Sequence, residues 1–162
     1  MSPEPHLGRW AATALKLVAG LATGILLLLA AILAPLFGLL ARVAYRPRHI
    51  REARRLGLDA GRLRWTMTGG SHGAPIALEG VCIRAGAWRD VLSACTEEAI
   101  AAGYAPLGKR GSERYRRYAR REKMALSVLE VFAVLAGETI ADSTAIVPDN
   151  QTGLSFTLQV GQ

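Results

Sequence analysis

A long apolar segment near the start constrains the fold of this chain more than any other feature. Within residues 10–45, no charged side chain lies between Lys16 and Arg42. A bilayer core about 30 Å thick needs roughly 20 apolar residues in a helix, so this segment is long enough to cross with some tilt. The sequence therefore predicts a short tail over residues 1–9 and one transmembrane helix over residues 10–45, kinked near Pro35.

Three other interpretations compete with a transmembrane helix. The least favoured is a buried core helix of a soluble protein, because the remaining chain is too small to cover both sides of so long an apolar helix. A cleaved signal peptide has a shorter apolar region, roughly 7 to 15 residues, and is not followed by a run of arginines. A hairpin turning at Pro35 would leave a second arm too short to cross alone, so it could only be re-entrant. We favour a single span and keep the re-entrant hairpin as the alternative.

The basic residues flanking the span predict its orientation. Arg9 and Lys16 lie on the N-terminal side, whereas six arginines crowd the C-terminal side. By the positive-inside rule, we expect the N-terminus outside and the C-terminal domain in the cytoplasm, in a bacterial inner membrane. The formal net charge of +7 suits anionic lipid headgroups.

Residues 46–60 form a basic juxtamembrane segment. Ile50, Ala53 and Leu56 recur at helical spacing, which predicts an amphipathic helix at headgroup level, with a solvated linker as the alternative. The arginines expected to face lipid are Arg46, Arg48, Arg51, Arg54 and Arg55.

The span also contains a G-x-x-x-G motif, formed by Gly20 and Gly24. Small residues at this spacing let two helix backbones approach closely in a membrane. We therefore expect helix partners, either other membrane subunits or further copies of this chain.

Residues 61–162 are predicted to form a small α+β domain. Alternating side chains indicate strands at 62–68 and 75–84, with Gly80 as a candidate bulge. A period near 3.6 indicates a helix that ends at Gly103 and a long helix over 113–136. The C-terminal residues predict a β-hairpin in which strand 138–147 pairs with strand 154–160. The expected order is ββααββ, with the helices packed on a mainly antiparallel sheet.

The basic run 109–123 is a candidate binding surface within the predicted long helix. It could neutralise nucleic-acid phosphates, contact anionic lipid, bind an acidic partner protein, or simply be a solvated helix. Its candidate residues are Arg110, Arg114, Arg116, Arg117, Arg120 and Arg121.

The stretch around Ser71 and His72 fits G-x-S-x-G, the pattern of a hydrolase nucleophile elbow. Such a serine needs a histidine later in the chain, and none follows His72. We therefore interpret the stretch as a hairpin loop whose tip could touch a partner.

Residues 63–81 also resemble the beginning of chorismate synthases, which have a strand, a run ending in S-H-G, and an apolar segment ending in E-G. In that family the histidine matching His72 acts as an acid, so the resemblance implies a remote enzymatic alternative. Gly70 stands where the family has glutamate, and those soluble enzymes carry nothing like residues 10–45. We assign no family on this basis.

The rest of the composition points away from cofactor chemistry. Cys82 and Cys95 are the only cysteines, and neither C-x-x-C nor H-E-x-x-H occurs. We expect two buried thiols, no metal and no cofactor. The sequence thus predicts a non-catalytic, single-pass accessory or assembly subunit of a membrane complex, with a tethered nucleic-acid or lipid binder as the alternative.

Overall fold

The computed structural model describes residues 6–70, 74–108, 112–123, 125–140 and 145–161. Within these ranges the chain is α+β, with two helices and six strands. In chain order the elements are α1 (His6–Arg55), β1 (Arg62–Thr68), β2 (Ala77–Ala85), α2 (Trp88–Ala101), β3 (Ala105–Leu107), β4 (Tyr115–Glu122), β5 (Ala125–Val134) and β6 (Gln151–Gln159). The strands form one antiparallel sheet in the order β1-β2-β6-β5-β4-β3. The predicted α+β class with an apolar N-terminal helix is confirmed, whereas the predicted ββααββ order is wrong.

Helix α1 projects far beyond the sheet. It contains 50 residues and continues through Pro35 and Pro47, so it is about 75 Å long at 1.5 Å per residue. Every side chain over residues 14–33 is exposed. The mean hydropathy of its most apolar window is 2.6, which makes the helix long and apolar enough to cross a membrane.

The C-terminal end of α1 belongs to the core of the domain. Ala53 is 0% exposed and Leu56 is 1% exposed, because both pack with α2 on the sheet. The expectation that this apolar face lies in lipid headgroups is therefore wrong, since the sheet offers it a protein surface. The expected lipid-facing arginines are exposed on the remaining sides of the helix: Arg46, Arg48, Arg51, Arg54 and Arg55.

His49 connects α1 to two strand ends. Its ring is fully buried, and Nε2 lies 3.2 Å from the carbonyl oxygen of Ile76 and 3.3 Å from the backbone nitrogen of Val160. Nδ1 lies 3.0 Å from the carbonyl oxygen of Tyr45 in the same helix. Together with Ala53 and Leu56, this residue attaches the helix directly to the sheet, without a flexible linker.

The first hairpin and α2 form as the sequence predicts. Gly103 has a φ of +86° just after α2, the conformation expected of a residue that ends a helix. Gly80 is not a bulge, because the register shift falls between Arg62 and Arg64. It instead leaves room for Trp65 and Phe156, whose ring centroids lie 6.5 Å apart in an edge-to-face arrangement.

The predicted long helix over 113–136 is wrong. This stretch forms β4 and β5, an antiparallel hairpin in which Glu122 pairs with Ala125 and Lys123 turns with a φ of +48°. β5 is rich in β-branched and aromatic residues, which favour strands. Both faces of β5 are covered, so its apolar residues do not alternate with polar ones. A continuous apolar run of this kind also fits a buried helix, which explains the wrong prediction.

The predicted C-terminal hairpin is also wrong. β6 forms as expected, but it pairs with β2 and β5 in the middle of the sheet. In the described part of 138–147, Thr139 and Ile146 form an isolated bridge. Ile140 and Val147 cover Val81 and Val134 on the sheet face opposite α2.

Candidate functional site

The basic run lies on strand β4 rather than on a helix. Alternation along the strand places Arg116 and Arg120 on the face covered by α2, opposite Val131 and Ser127 of β5, and Arg117 and Arg121 on the other face. Arg114 precedes the strand, and Arg110 lies outside the described residues. The described arginines are therefore divided between the two faces of the sheet.

Most of these arginines form contacts within the protein. Arg114 Nη1 donates to both carboxylate oxygens of Glu138, at 2.9 and 2.8 Å. Arg117 Nε lies 3.0 Å from Glu130 Oε1. Arg116 donates to the carbonyl oxygens of Glu113 and Tyr115. Arg121 is exposed, so it is the described member of the set that remains most available to an external anion.

Arg120 is the centre of a buried polar cluster that no sequence pattern indicated. Its Nη1 lies 2.6 Å from Glu52 Oε1 and 2.9 Å from the carbonyl oxygen of Ala102. The guanidinium carbon lies 4.7 Å from the ring centroid of Tyr104, a cation–π distance. Burial alone would lower the pKa of Arg120, but the hydrogen bond to Glu52 and the surrounding negative charges raise it. The cluster therefore keeps a cation between α1 and the sheet.

Two residues that flank the loop between β1 and β2, Gly69 and Gly70, lie against α1. Ser71 and His72 lie outside the described residues, but the flanking Gly69 and Gly70 have φ values of +75° and +81°. Arg42 Nε donates to the carbonyl oxygen of Gly69 at 2.7 Å. β1 and β2 pair as the predicted hairpin, and Gly69 lies beside the turn of α1 where its uncharged stretch ends.

A groove of about 650 Å³ separates α1 from strand β1, which is one of the two edge strands of the sheet. One wall is a stripe of α1 that includes Leu39, Val43 and Ile50, and the other consists of consecutive β1 residues from Arg62 to Met67. Four arginines line it: Arg42, Arg46, Arg62 and Arg64. The groove therefore combines apolar walls with a strongly cationic lining, at the place where α1 leaves the domain.

The two glycines of the predicted helix-packing motif lie on an open surface. A Cβ atom added to Gly20 or Gly24 would meet nothing within 4 Å. The exposed strip is compatible with a second helix, and this partner remains a prediction.

The two cysteines are free and buried, which confirms the predicted burial. Burial raises the pKa of Cys82 to about 11 and that of Cys95 to about 12. Neither thiol is therefore a nucleophile near neutral pH. Among the described residues, no three His, Cys, Asp or Glu side chains converge as metal ligands would.

Comparison of the chain with family models, with curated proteins and with solved structures found no match.

Proposed function

We propose that this protein is a single-pass membrane protein that acts by binding, as an accessory or assembly subunit of a membrane complex. The observation that carries the proposal is the exposed apolar surface of α1 over residues 14–33. Burying one Leu, Ile, Val or Phe side chain stabilises a protein by roughly 1.5 to 3 kcal/mol. Leaving so many of them in water would cost tens of kcal/mol, which supports the proposal that lipid or partner helices surround this helix.

The attachment of α1 to the sheet supports a positioning role. His49, Glu52 and Ala53 lie on the helix, and each contacts the domain. A helix that enters the core without a linker transmits its tilt and rotation to the domain. Such a subunit would present its sheet at a defined height and angle above the bilayer, which suits assembly with other subunits.

The orientation proposed for the chain rests on charge. The C-terminal flank of the apolar segment carries the exposed arginines of residues 46–55, which suit the cytoplasmic side of a bacterial inner membrane. The N-terminus would then lie outside.

The alternative, a tethered binder of nucleic acid through residues 109–123, has less support. Arg114, Arg117 and Arg120 are engaged by Glu138, Glu130 and Glu52, which neutralises much of the cationic surface a nucleic acid would need. Nucleic-acid binding that fell steeply with salt in the full-length protein would revive it.

Membrane insertion and topology can be tested together. Cells expressing full-length Asp149→Cys are treated with a membrane-impermeant maleimide, since Asp149 is exposed and the native cysteines are buried. We expect the protein to stay in membranes after alkaline carbonate extraction and to be labelled only once the inner membrane is opened. Release by carbonate would overturn the membrane proposal, and labelling in intact spheroplasts would overturn the orientation.

The subunit role is tested by purification in mild detergent. We expect other membrane proteins to co-purify in stoichiometric amounts with the tagged full-length chain. A chain that always purified alone from its native host would contradict the accessory or assembly role.

A further inference from the structure

We propose that the groove between α1 and β1 binds an anionic phospholipid, with the headgroup phosphate at the arginines and an acyl chain along the helix. This inference rests on the proposed insertion of α1 in a membrane. A specific lipid site of this kind differs from the general attraction between a basic protein and an anionic membrane surface.

The shape of the groove fits the upper part of a lipid. Its volume of about 650 Å³ lies within the roughly 300 to 1,000 Å³ typical of small-molecule sites. It is bounded by Leu39 and Val43 of α1 on one side and by Leu63 of β1 on the other. Leu63 is 51% exposed and Val43 is 64% exposed, although both are apolar. An acyl chain lying between them would remove both side chains from water.

The charge of the groove selects an anion. Arg42, Arg46 and Arg62 line it, and Arg64 lines both the groove and the neighbouring cavity that contains Glu79. No Asp or Glu is found among the described residues of the groove lining. Asp59 lies nearby, 4.0 Å from Arg62 Nη1, and offsets only part of this charge. Arginine side chains bind phosphate oxygens through charge-assisted hydrogen bonds, often two at once. A zwitterionic headgroup would bring its own cation into the same arginines and would bind more weakly.

The position of the groove makes a lipid a better occupant than a soluble phosphate compound. Its lining on α1 begins at Leu39 and Arg42, where the uncharged stretch of the helix ends. The hydrogen bond from Arg42 Nε to Gly69 fixes this guanidinium at the edge of the groove. A lipid could therefore place its phosphate beside Arg42 and Arg46 while its chains continue along α1 into the bilayer.

A second copy of the chain is the main rival occupant. β1 is an edge strand, and such strands can pair with a strand from another molecule. Such a pair would bring Arg62 and Arg64 of two copies to the same sheet edge, which would be repulsive. The anionic lipid is therefore the occupant that the charges favour.

Native mass spectrometry of the full-length protein tests the inference. The protein is released from nanodiscs containing either phosphatidylglycerol or phosphatidylcholine, and bound lipids are counted during stepwise delipidation. We expect one tightly retained phosphatidylglycerol per chain and no equivalent phosphatidylcholine. The double variant Arg42→Gln/Arg46→Gln should retain that lipid about tenfold less. Val43→Trp should also displace it, because the ring would fill the groove without changing its charge.

Arg51→Gln provides the matched control. Arg51 is exposed on the same helix and does not line the groove, so its loss removes one charge from the general surface. We expect this variant to retain the lipid as the wild type does. Equal retention of the two lipids, or equal loss in all three variants, would overturn the site. A disulfide-linked dimer formed through Leu63→Cys in membranes would instead assign the groove to a second copy.

The two proposals can fail separately. If carbonate extracts the protein, the membrane proposal itself is wrong. If the protein stays in the membrane but retains no anionic lipid, only the groove assignment is wrong.

Discussion

Glu52 and Arg120 form an ion pair between α1 and β4, with 2.6 Å between Oε1 and Nη1. The two residues are 68 positions apart in the chain, and each side chain is 11% exposed. This pair joins the projecting helix to the far half of the sheet. It also places one glutamate of the basic juxtamembrane segment inside the domain, away from lipid.

We expect Glu52→Gln to weaken the attachment of the helix to the domain. Removing one partner of a buried ion pair leaves an uncompensated charge, which typically costs about 3 to 5 kcal/mol. Glu122 lies 2.5 Å from Arg120 Nη2 and keeps part of the compensation, so we expect a loss of about 3 kcal/mol. The midpoint of thermal unfolding of the full-length protein in detergent should fall by roughly 10 °C or more. The control Glu97→Gln changes an exposed glutamate of α2, and an equal shift in both variants would contradict the special role of Glu52.

We expect Gly80→Ala to destabilise the domain through the Trp65–Phe156 contact. A Cβ at this position would lie 2.5 Å from Phe156 Cζ and 2.6 Å from Trp65 Cδ1, so both rings would have to move. Overpacking of this kind costs about 1 to 3 kcal/mol. Thermal unfolding followed by tryptophan fluorescence would measure the loss.

Two further variants separate this clash from a general effect of losing glycine. Gly108→Ala adds a methyl group where nothing lies within 4 Å, and it should be nearly neutral. Phe156→Leu in the Gly80→Ala background removes the closest ring atom and should recover part of the stability. If Gly80→Ala alone were as stable as the wild type, the steric explanation would be wrong.

The buried thiols predict a loss of stability at alkaline pH. Folding raises the pKa of Cys82 from its ordinary value of 9.0 to about 11, and that of Cys95 to about 12. The folded state therefore holds these protons more tightly than the unfolded state. The resulting stability is fully present below pH 9 and falls as the pH rises toward 11 and 12.

Chemical denaturation between pH 7 and 11 would measure this effect. The wild type should lose stability above pH 9, and Cys82→Ala/Cys95→Ala should lose less over the same interval. Thiol titration at pH 8 should find two reactive groups only after unfolding. Rapid labelling of the native protein would show that the thiols are accessible.

We expect Gly20→Ile/Gly24→Ile to disrupt contacts between α1 and partner helices. The added side chains would occupy the open strip over which another backbone could approach. Detergent-solubilised complexes should become smaller, as measured by light scattering coupled to size exclusion. Ala22→Ile adds similar bulk on the opposite side of the same turns and should leave the size unchanged. Complexes of unchanged size in the glycine variant would remove this motif from the interface.

The sequence by itself determined the elements that depend on local patterns. The apolar helix follows from a long run of residues without charge. The β1–β2 hairpin and α2 each follow from a period visible within about a dozen residues. The absence of any histidine after His72 favoured a hairpin loop over a nucleophile elbow. None of these predictions needed contacts between distant parts of the chain.

Only the tertiary structure decided the secondary structure of residues 113–136 and the pairing partners of β6. Leu129 and Val131 face α2, whereas Val134 faces Val147 on the other side, so a strand covered on both faces shows no alternation. Tyr115 and Tyr118 are spaced like neighbours on a helix, yet in β4 they point to opposite faces. The pairing of β6 with β2 and β5, the Glu52–Arg120 pair and the arginine-lined groove all join residues far apart in the chain. The contacts that stabilise these features exist only after the chain has folded. For this reason no local sequence pattern predicted them.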